Sequence, residues 1–139
     1  MKHLITYTDG GARGNPGPAA IGVMILDDKR KLVKAWGHYI GETTNNQAEY
    51  QALLAALQEA KKLKAEIIDC YLDSELVVKQ MRREYKIKDK ALGQLFIKIW
   101  NLLQNFNKVQ FHHIARELNK RADALVNKAL DKLDKQELN

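Results

Sequence analysis

Three strand-like runs come before any helical periodicity, and that order constrains the fold more than any other feature of the chain. Residues 3–9 are rich in β-branched and aromatic types and stop at Gly10-Gly11, which reads as a break. Residues 19–26 and 32–40 follow, joined by the charged turn Asp27-Asp28-Lys29-Arg30. Strands connected by turns this short pair as an antiparallel meander.

The period then changes. A helix begins near Asn46, with Ala52, Leu53, Ala56, Leu57 and Ala60 recurring at helical spacing as one buried stripe. Ile67-Ile68-Asp69-Cys70-Tyr71-Leu72 is a strand between two helices, hence parallel and central. Residues 74–81 and 91–103 are helical, and 109–114 is a last strand. Residues 119–133 form a final helix on the stripe Ala122, Leu125, Val126, Ala129, Leu130 and Leu133. The order βββαβααβα predicts an α/β fold, a mixed five-stranded sheet with helices packed on it. Residues 1–139 fit one domain, with no internal repeat or linker.

Composition excludes several classes. No run approaches the roughly 18 to 20 apolar residues of a membrane-spanning helix. The N-terminal residues enter a strand-like segment without a signal-peptide core, so a cytoplasmic protein is expected. Cys70 is the only cysteine, which excludes internal disulfides and thiolate metal sites. A net charge of +6 suits a polyanionic partner without specifying one.

Four carboxylates stand in unusual places, and each has an ordinary explanation. Asp9 precedes two glycines, a common turn signal. Glu49 follows Asn46 by three, the spacing of a capping box. Asp73 precedes a helix it could cap, and Asp123 lies in a first helical turn, where the dipole favours negative charge. Their positions argue otherwise. Glu49 shares the apolar stripe of its helix, Asp123 borders the stripe of its own, and Asp9 shares a strand face with Ile5 and Tyr7. Asp73 ends a parallel strand at its carboxyl end, where open α/β sheets hold ligands. Inward-facing carboxylates are costly unless neutralised. An all-oxygen set suits Mg²⁺ or Mn²⁺ rather than zinc.

These residues carry a family resemblance. Thr8-Asp9-Gly10-Gly11-Ala12-Arg13-Gly14-Asn15-Pro16-Gly17-Pro18 resembles the opening motif of type 1 ribonuclease H. Thr44-Asn45-Asn46-Gln47-Ala48-Glu49, Leu72-Asp73-Ser74-Glu75 and Asn119-Lys120-Arg121-Ala122-Asp123 resemble its second, third and fourth motifs. The resemblance implies a ribonuclease H-like fold and an endonuclease that hydrolyses the RNA strand of RNA–DNA hybrids, leaving 5′-phosphate and 3′-hydroxyl ends. It implies two Mg²⁺ ions per site, with Mn²⁺ the alternative, held by Asp9, Glu49, Asp73 and Asp123, and Asp9 bridging both ions. An RNA–DNA hybrid is then the only partner implied, and a monomer is expected.

For the substrate, Gly10, Gly11 and Gly14 either let backbone approach the RNA sugars or serve only as turn residues. Asn45, Asn46 and Gln47 resemble the family's minor-groove contacts, although Asn46 also reads as a helix cap. Arg13 and Asn15 are candidate phosphate or sugar contacts. The chain departs from the family's better-known bacterial members twice. Its segment 79–90 is basic but short and lacks tryptophan, so substrate grip falls to its lysines and arginines or the segment is simply a solvated helix end. The connection before Asp123, His112-His113-Ile114-Ala115-Arg116-Glu117-Leu118, has no glycine and resembles compact archaeal-type members. There His113 belongs at the strand's end and Arg116 is better placed for product release. No separate hybrid-binding module is expected before the first strand. The rival reading is a non-catalytic nucleic-acid-binding domain of the same fold, which should lack at least one of the four acids. Other nucleases and strand transferases of this fold lack the Asn-Asn motif and the Gly-Asn-Pro-Gly loop.

Overall fold

The computed structural model describes residues 2–138, with side chains described through Lys135. Its strands are β1 (His3–Ala12), β2 (Gly17–Asp27), β3 (Leu32–Thr43), β4 (Ile67–Leu72) and β5 (Lys108–His113). The helices are α1 (Asn45–Lys62), α2 (Glu75–Met81), α3 (Lys90–Leu103) and α4 (Lys120–Leu138). A single 3-10 turn, Arg116–Leu118, leads into α4. The strands form one sheet in the order β3-β2-β1-β4-β5. The meander β1-β2-β3 is antiparallel, while β4 runs parallel to both β1 and β5. The element order and the mixed sheet are those expected from the sequence.

Residue type explains the layering. On one face, Leu4, Val23, Ile25 and Ile68 pack with Leu53, Ala56, Leu57 and Ala60 of α1 and with Val77 and Ile99 of α2 and α3. Each large aliphatic side chain buried there stabilises the fold by roughly 1.5–3 kcal/mol. The opposite face receives α4, through Val126 and Leu130 against Ala20.

The first strand differs from expectation. Gly10 and Gly11 do not end β1; they stay in register with Ile21 and Ala20. Their role is clearance. A Cβ on Gly10 would lie 2.2 Å from the Ala48 carbonyl carbon, so only glycine lets α1 cross the sheet this closely. On the other face Asp9 pairs with Gly22 and Gly22 with Gly37. Cβ atoms on these glycines would lie 2.2 Å from Ala122 O and 2.3 Å from Leu125 O. The backbone of α4 thus rests on the two strands beside Asp9. Strand glycines often mark such close approaches.

Candidate active site

Because β1 and β4 are parallel neighbours whose pairing ends at Thr8 and Leu72, the next residues, Asp9 and Asp73, come together. Glu49 reaches them from the start of α1, which Gly10 admits. One carboxylate oxygen from each of Asp9, Glu49 and Asp73 lies within 4.8 Å of the others. Asp9 is 7% exposed and Glu49 9%. The capping explanations of Glu49 and Asp73 do not hold, whereas Asp123 does lie in the first turn of its helix. The cap of α1 is Thr44, whose hydroxyl accepts from the Gln47 amide at 3.2 Å, and the cap of α2 is Ser74. Neither Asn46 nor Asp73 caps a helix.

No described cationic side chain forms an ion pair with this group. Burial, and then repulsion from Asp73, pushes Asp9 up to about 7, in spite of a hydrogen bond with Glu49 that lowers it. Burial and then the charges of Asp9 and Asp73 push Glu49 well above the usual carboxylate range. Glu49 Oε2 is buried without a hydrogen-bond partner among the described residues. An orphaned buried acceptor beside two more carboxylates fits a hard divalent cation, which prefers oxygen ligands. Cys70 is no competing ligand, since burial pushes its thiol up to about 12.

Asp123, in the first turn of α4, lines the same cleft of about 440 Å³ and interacts with Asp9, although it lies outside the three-oxygen group. Asn127 Nδ2 donates to its Oδ2 at 3.4 Å. Gly10, Gly11, Arg13, Asn45 and Arg116 are further wall residues. His113 is exposed at the end of β5 and is not part of the wall.

The loop residues interlock at the rim. Asn15 Oδ1 accepts from the Asn45 amide at 3.0 Å, and Asn45 Oδ1 accepts from the Ala12 amide at 2.8 Å. Gln47 Oε1 accepts from Thr43 Oγ1. All three side chains commit their oxygen to the scaffold and keep their NH₂ donors. Asn46 is exposed. Arg13 is held by α4, 2.5 Å from Asp131 and 2.7 Å from Asp134.

Some relevant residues were not visible in the sequence. Arg82, in the basic segment, donates twice to the Phe111 carbonyl and is structural. A tryptophan of α3, Trp100, lies beside that segment. Trp100 stacks on Phe96 with 5.8 Å between centroids and lies under the Arg83 guanidinium at 5.3 Å. Together with Tyr85 and Lys86 they line a second cleft of about 700 Å³. The signal for it was the amphipathic pattern of α3, which leaves Ile97 and Trp100 exposed on a helix otherwise read as packing.

A mixed five-stranded sheet flanked by helices, with acids clustered where β4 ends beside β1, defines an α/β domain whose oxygen donors could hold a divalent metal. The family model described as "Reverse transcriptase-like" matches residues 7–129. A ribonuclease HI from Halobacterium salinarum is 42% identical over 90% of this chain, and the chain spans 63% of that relative's length. The crystal structure of RNase H1 from the same archaeon superposes with a TM-score of 0.91 at 41% identity, covering 94% of this chain and 98% of that one. LC11-RNase H1, solved in complex with an RNA/DNA hybrid, gives a TM-score of 0.89 at 47% identity over 94% of this chain and 98% of that one. The chain belongs to the type 1 ribonuclease H family. Family and donor set together indicate use of a divalent metal.

Proposed function

We propose that this chain is a ribonuclease H, hydrolysing the RNA strand of RNA–DNA hybrids to 5′-phosphate and 3′-hydroxyl ends. The observation that carries the reading is the convergence of Asp9, Glu49 and Asp73 from three separate elements at one strand edge, with Asp123 across the cleft. Two Mg²⁺ ions (or Mn²⁺) bound there would supply Lewis acidity toward a water nucleophile and toward the charge on the scissile phosphate. Asp9, Glu49, Asp73 and Asp123 would hold them.

The remaining roles belong to the chain's own groups. The NH₂ donors of Asn15, Asn45 and Gln47 suit base edges or 2′-hydroxyls in a wide minor groove. Exposed Asn46 adds a fourth amide, and Gly11 lets backbone approach. Gly10 shapes the same wall. Arg13 contacts phosphate when it leaves Asp131 and Asp134, and Arg116 holds the product phosphate by its guanidinium fork. Arg83, Lys86 and Trp100 offer the hybrid a second contact at the other cleft. Residues 1–139 act as one domain and as a monomer, in the cytoplasm. No described helix is long and apolar enough to cross a membrane.

Incubation with a fluorescent RNA–DNA hybrid, beside duplex RNA and duplex DNA, tests the reading. Only the hybrid should be cut, only with divalent metal, and more than 10-fold more slowly by Asp9→Asn, a loss above ~1.4 kcal/mol. Hybrid bound but never cut would leave a non-catalytic binding domain.

A further inference from the structure

We propose that Asn119 is a positioning residue of the metal centre, holding the Asp73 carboxylate and the start of α4 in one arrangement. The proposal rests on the metal reading of Asp9, Glu49 and Asp73.

Asn119 is 2% exposed and immediately precedes α4. Its backbone carbonyl accepts from the Asp123 amide at 3.1 Å, which makes it the cap position of that helix. An asparagine there normally turns its side-chain oxygen to the amides of the first turn. This one does not. Its Nδ2 donates to Thr8 O at 2.8 Å and to Asp73 Oδ2 at 3.1 Å, while Oδ1 is buried with no partner among the described residues. Thr8 O and a carboxylate oxygen only accept, so the amide group must face them with its NH₂. The side chain gives up the helix cap to bind two groups at the acidic cluster.

The two contacts explain the choice. Thr8 precedes Asp9 within β1, and Asp73 leaves β4, so one NH₂ group ties the middle of β1 to the end of β4. Asn119 N–H also donates to Arg116 O, fixing the connection that brings Arg116 to the cleft wall. A single N–H on one Asp73 oxygen also sets the rotation of that carboxylate. Groups that orient a ligand from behind usually change metal affinity by about 10- to 100-fold when removed.

Asn119→Ser supplies a residue able to cap the helix but too short to reach Asp73, and Asn119→Ala can do neither. Mn²⁺ affinity is measured by calorimetry on wild type, both variants and Asp73→Asn, below the melting temperature of each, alongside kcat and KM on one hybrid. Wild type should bind Mn²⁺, with affinity falling in Asp73→Asn. Both Asn119 variants should bind Mn²⁺ about 10-fold more weakly, with kcat reduced 10- to 100-fold and KM within about 3-fold. Adding Asn119→Ser to Asp73→Asn should then cost little more Mn²⁺ affinity. If wild type binds Mn²⁺ and Asn119→Ser binds it equally well with normal kcat, the positioning role is overturned, whatever the change in melting temperature. If wild type binds no Mn²⁺, or Asp73→Asn binds as well as wild type, the metal reading itself fails.

Discussion

At the residue scale, one cleft holds three kinds of polar group, and their surroundings separate their roles. Asp9, Glu49 and Asp73 face one another with no ion-pair partner among the described residues, an arrangement that costs stability unless the charge is neutralised. The amides at the rim satisfy their oxygens internally and leave donors for a ligand. Arg116, proposed above to hold the product phosphate, and His113 differ in position. Arg116 lies on the cleft wall, and His113 stays exposed at a strand end outside it. Its neighbour His112 is committed elsewhere, 2.7 Å from Asp69, which also takes His3 at 2.7 Å. Arg116→Ala should therefore slow turnover about 10- to 100-fold, or ~1.4 to 2.7 kcal/mol, with a smaller effect on hybrid binding. His113→Ala should stay within a few-fold. Steady-state rates of both variants on the same hybrid decide the matter, and the opposite ranking would return the histidine to the site.

At the element scale, the fold is set by where glycine replaces a side chain. Gly10 admits α1 to one face, and Gly22 and Gly37 admit α4 to the other, so Glu49 and Asp123 approach Asp9 from opposite sides of the sheet. Gly10→Ala puts a methyl carbon 2.2 Å from backbone and should destabilise by ~3 kcal/mol or more, above the ordinary range of overpacking. Gly93, inside α3 with open space at its Cβ position, is the contrast. Gly93→Ala should stabilise by ~0.5 to 1 kcal/mol through helix propensity. Urea melts of the two variants check both signs; a tolerated Gly10→Ala would mean α1 can lift from the sheet. The same glycines show what was legible in the sequence. Residue type and periodicity revealed the five strands and the four α-helices, because apolar stripes such as that of α1 depend only on local spacing; the 3-10 turn at Arg116–Leu118 was not among them. The four acids were legible because each stood on a buried stripe or a strand end. The extension of β1 through Gly10-Gly11 was not, since a glycine pair reads as a break unless the helix crossing it is known. Nor was the capture of Arg13 by Asp131 and Asp134, or the pairing of Trp100 with Arg83, which depend on residues far apart in the chain.

For the whole molecule, two carboxylate groups act on stability in opposite pH ranges. Asp9 is raised to about 7, first by burial and then by Asp73. An acid with a raised pKa binds its proton more tightly when folded, so metal-free stability falls as pH rises from about 4 to about 7. Asp69 behaves in the opposite sense. Burial alone would raise it, but His112 and His3 hold it below the usual value. Its contribution is present above about pH 4 and is lost in stronger acid. The metal-free protein should thus be most stable in mildly acidic solution. Two charges ~4 Å apart repel by roughly 4 kcal/mol at an effective dielectric near 20. Relieving half of that, roughly 2 kcal/mol, moves the melting temperature by about 6 °C in a domain of this size. Calorimetric scans in EDTA should give a melting temperature about 6 °C higher at pH 5.5 than at pH 8. Adding Mg²⁺ at pH 8 should recover most of that loss, because a cation bound only by the folded state stabilises it. Asp9→Asn carries no charge at this position, so its scans should depend less on pH and gain less from Mg²⁺. The comparison with this variant isolates the cluster from every other titrating group. Parallel pH profiles and equal Mg²⁺ shifts for the two proteins would show that the acids neither repel one another nor share a cation.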